Sequence, residues 1–469
     1  MIPRRSKARH PAVLQSFQLH HLLQFWIRIS SSLWFVPLGI VFCAIVLAMM
    51  LIATDLAVGS DWTENQSLVF GVGASGARGM LSAIAGSMMT VASLTFSLTI
   101  ATLATASSQY TSRLIRNFMR DRLNQFVLGY FVGLFAYCLV VLRTIRDGDE
   151  SAFVPSLAVM GGLLLALLSI GVLIFFIHHI AESIQVGIIL RRVTNETLRA
   201  INNMFPADVG EPAAADPVLA SMRTAADPDE DVHDGYRWYT VSAQRFGYVQ
   251  SLDTKDLLAR AVEIDAVVRM SADIGSFVTS AGSLCEIAIA SPPSEKLLDD
   301  LRSMFDIGAA RTVEQDAAFG IRQIVDIGLK ALPPGVSDTT TSVMCVEHLG
   351  TVLETLAARS IPDRVRAKDG KVRLIASGRS FDALTGLCLN QIRQSATANT
   401  AVMVALLNAI EAAGRQTSDD ARRRTLSRHA NLIATLARDS VTCPDDLAPV
   451  LTTANAVMAE LNSARPHPA

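Results

Sequence analysis

Charge is the first thing this chain is short of. Only 18% of its 469 residues are Asp, Glu, Lys or Arg, half are apolar, and mean hydropathy is positive. That balance describes an integral membrane protein carrying a soluble part. The chain also lacks the recurring signatures of catalysis. There is no phosphate-binding GxxxxGK[ST] loop, no HExxH pair and no GxSxG turn, so no nucleophile, metal cluster or phosphate cradle stands out, and an enzyme is not expected. Six cysteines (43, 138, 285, 345, 388 and 443) occur without CxxC spacing or a nearby histidine pair. They are expected to be reduced packing residues, and neither metal nor cofactor is implied. Basic residues exceed acidic ones only up to about Gln185, and the remainder is mildly acidic, which argues against nucleic-acid binding through phosphate neutralisation.

Long apolar runs are present instead. Leu33 to about Thr54, Phe126 to Leu142 and Phe153 to about Ile180 are each long enough to cross the hydrocarbon layer. A fourth stretch, Met80 to about Ser108, has a hydroxyl at roughly every second or third position. Charge placement decides its status. Arg4, Arg5, Lys7, Arg9 and Arg28 precede the first run; Arg113, Arg116, Arg120 and Arg122 follow the hydroxyl stretch; Arg191 and Arg192 follow the last. The other two connections carry Asp55, Asp61 and Glu64, and Asp147, Asp149 and Glu150 beside Arg143 and Arg146. Four crossings bring every clearly basic segment to one side, as the positive-inside rule requires. Residues 33–184 are therefore expected to form a four-span domain, with both termini cytoplasmic. "FQLHHLLQFWIRISSSLW", Phe17–Trp34, gives the N-terminal segment (1–32) an interfacial helix on the inner leaflet. The first run is too long for a cleaved leader.

The hydroxyl stretch carries no charge between Arg78 and Arg113. If helical throughout, its about 34 residues extend roughly 50 Å, beyond the hydrocarbon layer. Gly86, Thr90, Ser93, Ser97, Ala101, Ala104 and Ser108 follow steps of three and four and share one stripe of small side chains. Thr95, Thr99 and Thr102 lie on nearly the opposite face. One reading is a buried packing helix whose hydroxyls bond back to their own carbonyls. The other is a permeation path lined by one of the two faces. The span centres hold no Asp, Glu, Lys or Arg, which disfavours a proton relay.

Two motifs invite more than they deliver. "GVGASG", Gly71–Gly76, matches a dinucleotide fingerprint but stands in an outward loop outside any βαβ unit, where a lead-in to the second span accounts for it. His178, His179 and Glu182 cluster at the end of the last span, where interfacial histidines ordinarily meet water or headgroups.

The helical pattern of the last span is expected to continue without interruption into an amphipathic extension, followed by a Pro-, Ala- and acid-rich linker (185–234). A small α+β module (235–292) follows, with β-type runs in "RWYTVSAQRFGYVQSLD", "AVVRM", "SFVTS" and "SLCEIA", and a helix from about Thr254 capped by Asp253. Its "IGSFVTSAGSLCEI" faintly resembles biotinyl or lipoyl carriers but has no lysine at a hairpin tip. Residues 293–469 read as helical. There, Arg322 and Asp326 stand at i,i+4, with Gln315, Asp316 and Gln323 close by and Asp338 after "PPG". They suit an ion-pair and capping network, or a small-ligand site built from the same groups.

The stretches "MTVASLTFSLTIATLATASSQYTSRLIRNFMRDRLNQFVLGYFVGLFAYCLVVLRT", "FIHHIAESIQV", "FGYVQSLD" and "FGIRQIVDIGLKALPPGVSDTTTS" together resemble the bacterial predicted-membrane-protein family catalogued as domain of unknown function 2254. The resemblance runs from about Leu33 to about Arg438. It implies an inner-membrane location and brings no activity. Where the family pattern has a proline after its Ser-Gln-aromatic block and an Asn-Asp-Pro after its turn, this chain has Thr111-Ser112-Arg113 and Ser337-Asp338-Thr339, so no role of those prolines transfers.

The expectation is a mainly α membrane protein: four transmembrane helices, then a cytoplasmic α+β domain with a helical C-terminal part. Its expected partners are membrane lipid and further copies of itself, with no nucleic acid and with the cytoplasmic partner unknown. Ion or small-solute passage is the leading function, and a non-conducting sensor or scaffold is the rival.

Overall fold

The computed structural model describes residues 34–58, 73–109, 121–146, 153–183, 185–204, 211–212, 236–333, 335, 338–359 and 364–463. The interfacial helix expected in residues 1–32 lies outside them. Two compact units divide the chain at Gln185.

Among the described residues, the first unit contains four helices long and apolar enough to cross a membrane: α1 (Phe35–Val58), α2 (Ala74–Gln109), α3 (Arg122–Thr144) and α4 (Ser156–Ser183). Polar contacts pin their ends in alternation. Asp55, in the last turn of α1, accepts hydrogen bonds from Leu157 N (3.1 Å) and Ala158 N (3.2 Å) in the first turn of α4. It thereby satisfies two amide donors that the helix leaves open. Arg78, in the first turns of α2, donates to Ile145 O at the end of α3 (3.0 Å). At the opposite end, Asp121 caps α3 through Leu123 N (3.0 Å) and meets His179 of α4 (2.8 Å). Successive spans therefore run in opposite directions, and the start of α1 and the end of α4 share an end of the bundle.

α3 packs against all three other spans. Phe131, Tyr137, Cys138 and Val141 are fully buried there. Tyr130 and Tyr137 reach across to α4, donating to Leu165 O (2.7 Å) and Ala158 O (2.6 Å), so each phenol buries its ring and still finds an acceptor. α1 and α4 instead turn Leu38, Phe42, Leu164, Leu168 and Ile174 outward, the surface a lipid solvent requires.

The second unit opens with α5 (Val186–Met204). The expected continuous extension of the last span is replaced by two helices. α4 ends at Ser183 and α5 begins at Val186, where the sequence changes from apolar on every side to one buried stripe, Ile189, Leu190, Val193, Thr197 and Ile201. A uniform apolar helix suits lipid and a one-sided helix suits a protein core, so the break falls where the surroundings change.

Among the described residues nine strands follow: β1 (Glu211–Pro212), β2 (Arg237–Ser242), β3 (Gly247–Leu252), β4 (Val267–Met270), β5 (Phe277–Val278), β6 (Ser283–Ile289), β7 (Phe305–Gly308), β8 (Val365–Lys368) and β9 (Lys371–Ile375). They make a six-stranded sheet in the order β1-β8-β9-β4-β6-β2 and a three-stranded sheet β5-β3-β7. All pairings are antiparallel except β4 with β9, where Val268 lies opposite Leu374. Helices α6 (Thr254–Glu263) and α7 (Glu295–Ser303) lie between strands in sequence. Val241, Leu257, Val268, Leu284, Ile287, Leu301, Phe305 and Leu374 form their shared core.

No seam occurs at residue 292. β7 completes the small sheet, and β8 and β9 carry the large sheet onward from a region expected to be wholly helical. Around Asp369 (φ 54°) and Gly370 (φ 73°) the β8–β9 hairpin turns through two left-handed residues, the backbone that an Asp-Gly turn supplies. Helices α8 (Ala317–Ala331), α9 (Thr339–Ala358), α10 (Phe381–Ser395), α11 (Thr400–Arg415), α12 (Asp420–Ser440) and α13 (Pro444–Asn462) complete the unit.

Candidate functional site

α2 is one uninterrupted helix of 36 residues, about 54 Å long at 1.5 Å per residue. The final Ala74-Ser75-Gly76 of "GVGASG" forms its first turn. The two polar faces have different surroundings. Thr95 is buried, and Thr99 and Thr102 are half-buried, on the side that carries Leu81, Ala85, Met88 and Ala92 into the bundle. Gly86, Thr90, Ser93, Ser97, Ala101 and Ala104 are exposed on the bundle's outer surface. A Cβ added at Gly86 would meet nothing within 4 Å. Ser108 lies on the helix, outside the residues whose exposure is described.

Most of the hydroxyls bond to their own helix. Thr90 donates to Gly86 O (3.0 Å), Ser93 to Met89 O (3.0 Å), Thr95 to Ala92 O (2.8 Å), Thr99 to Thr95 O (2.8 Å) and Thr102 to Thr99 O (2.8 Å). Such bonds let hydroxyls exist in an apolar medium and leave an oxygen lone pair directed outward. The outer face of α2 is therefore narrow-profiled and weakly polar, between flanking Met89, Leu94, Phe96 and Ile100, which are exposed.

The histidine cluster has an ordinary account. His178 pairs with Glu182 at 3.3 Å on the surface, while His179 is held by Asp121. Among the described residues, no group of three or more His, Cys, Asp or Glu is placed to hold a metal. Four of the six cysteines are buried, but Cys43 and Cys443 are exposed, so packing does not explain those two.

In the second unit the six polar residues singled out from sequence are spread along α8. At its start, Gln315 Oε1 accepts from Leu252 N (3.1 Å). Asp316, 3% exposed, caps the helix through Phe319 N (3.0 Å) and accepts from Arg311 Nε (2.7 Å). Burial outweighs Arg311 and holds the Asp316 carboxyl above its usual pKa. Gly275 (φ +83°) passes so close that an added Cβ would lie 2.0 Å from Asp316 Oδ2. Further along, Arg322 donates to Gln391 of α10. Gln323 is buried with its Oε1 lacking a hydrogen-bond partner, and Asp326 is half-buried. Asp338 sits at the far end, its N bonded to Ala331 O (2.8 Å). It caps α9 through Thr341 N (3.0 Å) and Thr341 Oγ1 (2.6 Å), and these donors lower its pKa. Asp316 and Asp338 thus stand at opposite ends of the 15-residue α8, which rises about 22 Å.

A cavity that sequence reasoning missed lies beside α10. Of about 510 Å³, it is lined by Leu252, Met270, Ile274, Leu374 and Phe381 together with Arg364, Arg366, Arg379 and Arg422. A polar cleft of about 390 Å³ shares Arg379 and Asp382 with it and adds Arg322 and Arg428. The signal was present in the sequence: "RVRAKDGKVRLIASGRS", Arg364–Ser380, alternates basic and apolar residues on both sides of Asp-Gly, the pattern of a hairpin with one charged face.

Comparison with known proteins agrees with the membrane architecture. Residues 30–412 match the family described as predicted membrane protein DUF2254. Uncharacterized proteins of Mycobacterium bovis and Mycobacterium tuberculosis are each 34% identical over 382 residues, covering 80% of this chain and 71% of the relative. No solved structure matches. With the family match spanning most of the chain, this protein belongs to the DUF2254 family of predicted membrane proteins.

Proposed function

We propose that the chain is a homo-oligomeric protein of the bacterial inner membrane. Its α2 helices meet around a path for ions or small solutes, and its second unit is a cytoplasmic regulatory domain. The observation that carries this reading is the outward position of Gly86, Thr90, Ser93, Ser97 and Ala101 on a transmembrane helix. Lipid gives such a stripe nothing to pack against. Small residues permit close backbone approach to another helix, and hydroxyl oxygens can face water. Location and orientation rest on the positive-inside rule applied to the basic segments of the sequence.

Flux from liposomes containing the purified protein tests it. Wild type is expected to pass small ions, Ser97→Leu to reduce passage at least several-fold, and Ile100→Leu, on the flanking apolar surface, to leave it unchanged. Absence of flux from folded, oligomeric protein would oppose conduction. The second reading, a non-conducting sensor or scaffold, draws support from the bonding of Thr90, Ser93, Thr95, Thr99 and Thr102 to their own helix carbonyls. On that reading Ser93→Leu disrupts assembly and no variant changes flux.

A further inference from the structure

The cavity beside α10 combines an apolar floor with cations converging from three places in the chain. Leu252 comes from β3, Met270 from β4 and Leu374 from β9; Ile274 and Phe381 complete the apolar lining. Arg364 and Arg366 come from β8 and its approach, Arg379 from the segment before α10, and Arg422 from α12. Its volume, about 510 Å³, falls among small-molecule pockets, roughly 300–1,000 Å³.

The cations differ in what already holds them. Arg364 donates to Gly378 O. Arg422 Nη1 donates to Ala357 O (2.9 Å) and Arg359 O (2.7 Å) at the end of α9, and its guanidinium lies 5.3 Å from the Phe381 ring. Those two are positioned by the fold. Arg379 is exposed at the mouth and borders both the cavity and the neighbouring polar cleft. Asp273, within the lining, is held above its usual carboxylate pKa by burial, although Arg379, Arg364 and Arg311 act to lower it. The remaining acids are engaged: Asp382 with Arg428, and Asp419 as the cap of α12 through Ala421 N (2.7 Å) and in an ion pair with Arg422 (3.6 Å). The lining is thus electropositive around an apolar interior, and the cavity also opens on the N-terminal turn of the 15-residue α10, where helix amides favour negative charge.

We infer that this pocket binds a small organic anion with an apolar body, its carboxylate or phosphate head on the arginines and its body against Leu252, Met270, Ile274 and Leu374. A simple inorganic anion leaves the apolar floor bare, and a neutral hydrocarbon makes no use of the arginines; an amphiphilic acid satisfies both. Met204, the last residue of α5, also lines the pocket, and α5 follows the last transmembrane helix after two residues. Occupancy therefore touches the element that leads directly from the membrane. This assignment concerns the second unit and stands whether or not the first conducts.

Calorimetric titration of the full chain in nanodiscs of zwitterionic lipid, with empty nanodiscs as the blank, tests it. The probes are octanoate, octyl phosphate, octanol and inorganic phosphate. Octanoate or octyl phosphate is expected to bind saturably and at least tenfold more tightly than octanol or inorganic phosphate. Arg379→Gln should weaken binding about tenfold without shifting the thermal midpoint, because no hydrogen bond of the fold is assigned to that side chain. Thr425→Trp, which narrows the cavity from α12, should abolish binding. Competition by added phosphatidylglycerol would identify a lipid head as the natural source of the anion, and indifference to it a soluble acid. Equal affinity for octanol, or binding unaffected by both variants, would overturn the assignment.

Discussion

Individual side chains in the second unit are arranged with little tolerance. Gly275 adopts a left-handed φ directly against the Asp316–Arg311 pair. Gly275→Ala should destabilise the unit by at least about 1 kcal/mol from backbone strain alone, with further loss as the new methyl displaces Asp316. Removing the acid is worse. Asp316→Ala deletes a helix cap and strands Arg311, which calls for roughly 3–5 kcal/mol. Thermal or chemical denaturation of the purified variants reads both. His429 offers a pH handle. It is 1% exposed, neither ring nitrogen has a hydrogen-bond partner, and burial, aided by Arg428 and opposed by Asp382, lowers its pKa to about 4. Above about 6.5, its ordinary value, folded and unfolded states are both neutral there. Between that pH and about 4 only the unfolded chain takes up the proton, so stability falls as pH falls, by up to about 1.4 kcal/mol for each unit of pKa difference. His429→Leu is expected to flatten the decline of the thermal midpoint across that window. An unchanged slope would show that other groups govern it.

At the scale of elements, the tandem Arg422-Arg423 of α12 closes two helices. Arg422 serves carbonyls at the end of α9. Arg423, 5% exposed, donates to Leu461 O (2.8 Å) and Ser463 O (3.0 Å) at the end of α13, where cations complement the helix dipole. Arg423→Leu should reduce stability by about 1.5–3 kcal/mol and raise amide exchange in α13 before other helices. Close approach matters as well: an added Cβ at Gly320 of α8 would lie 2.1 Å from Thr197 Oγ1 of α5. Elements with a strong period were legible in the sequence. The four spans, α6 with its Asp253 cap (Asp256 N, 3.0 Å), and the helices α8 to α12 follow from apolar spacing and caps that act within a few residues. β7, β8 and β9 were missed because short strands carry little local signal and their partners lie far away in sequence; the Asp369-Gly370 turn was the cue available. The same distance effect hid the arginine pocket, whose walls join residues from Met204 to Thr425. Helical spacing in the sequence separates the two polar faces of α2, but only the packing of Leu81, Ala85 and Ala92 distinguishes the inward face from the outward one.

For the whole molecule, the four-span unit resolves its own interior around α3 and leaves the small stripe of α2 outside it. A monomer in lipid would expose that stripe without a partner, whereas a ring or pair of copies would cover it. Disulfide trapping in native membranes tests this most directly, in a background with the exposed Cys43 and Cys443 replaced by alanine and serine. Ser93→Cys and Ser97→Cys are predicted to give cross-linked dimers on mild oxidation, while Leu94→Cys and Ile100→Cys, on the flanking surface, give little. Equal cross-linking at all four positions, or none at Ser93 and Ser97 in folded protein, would contradict an assembly built on the α2 stripe.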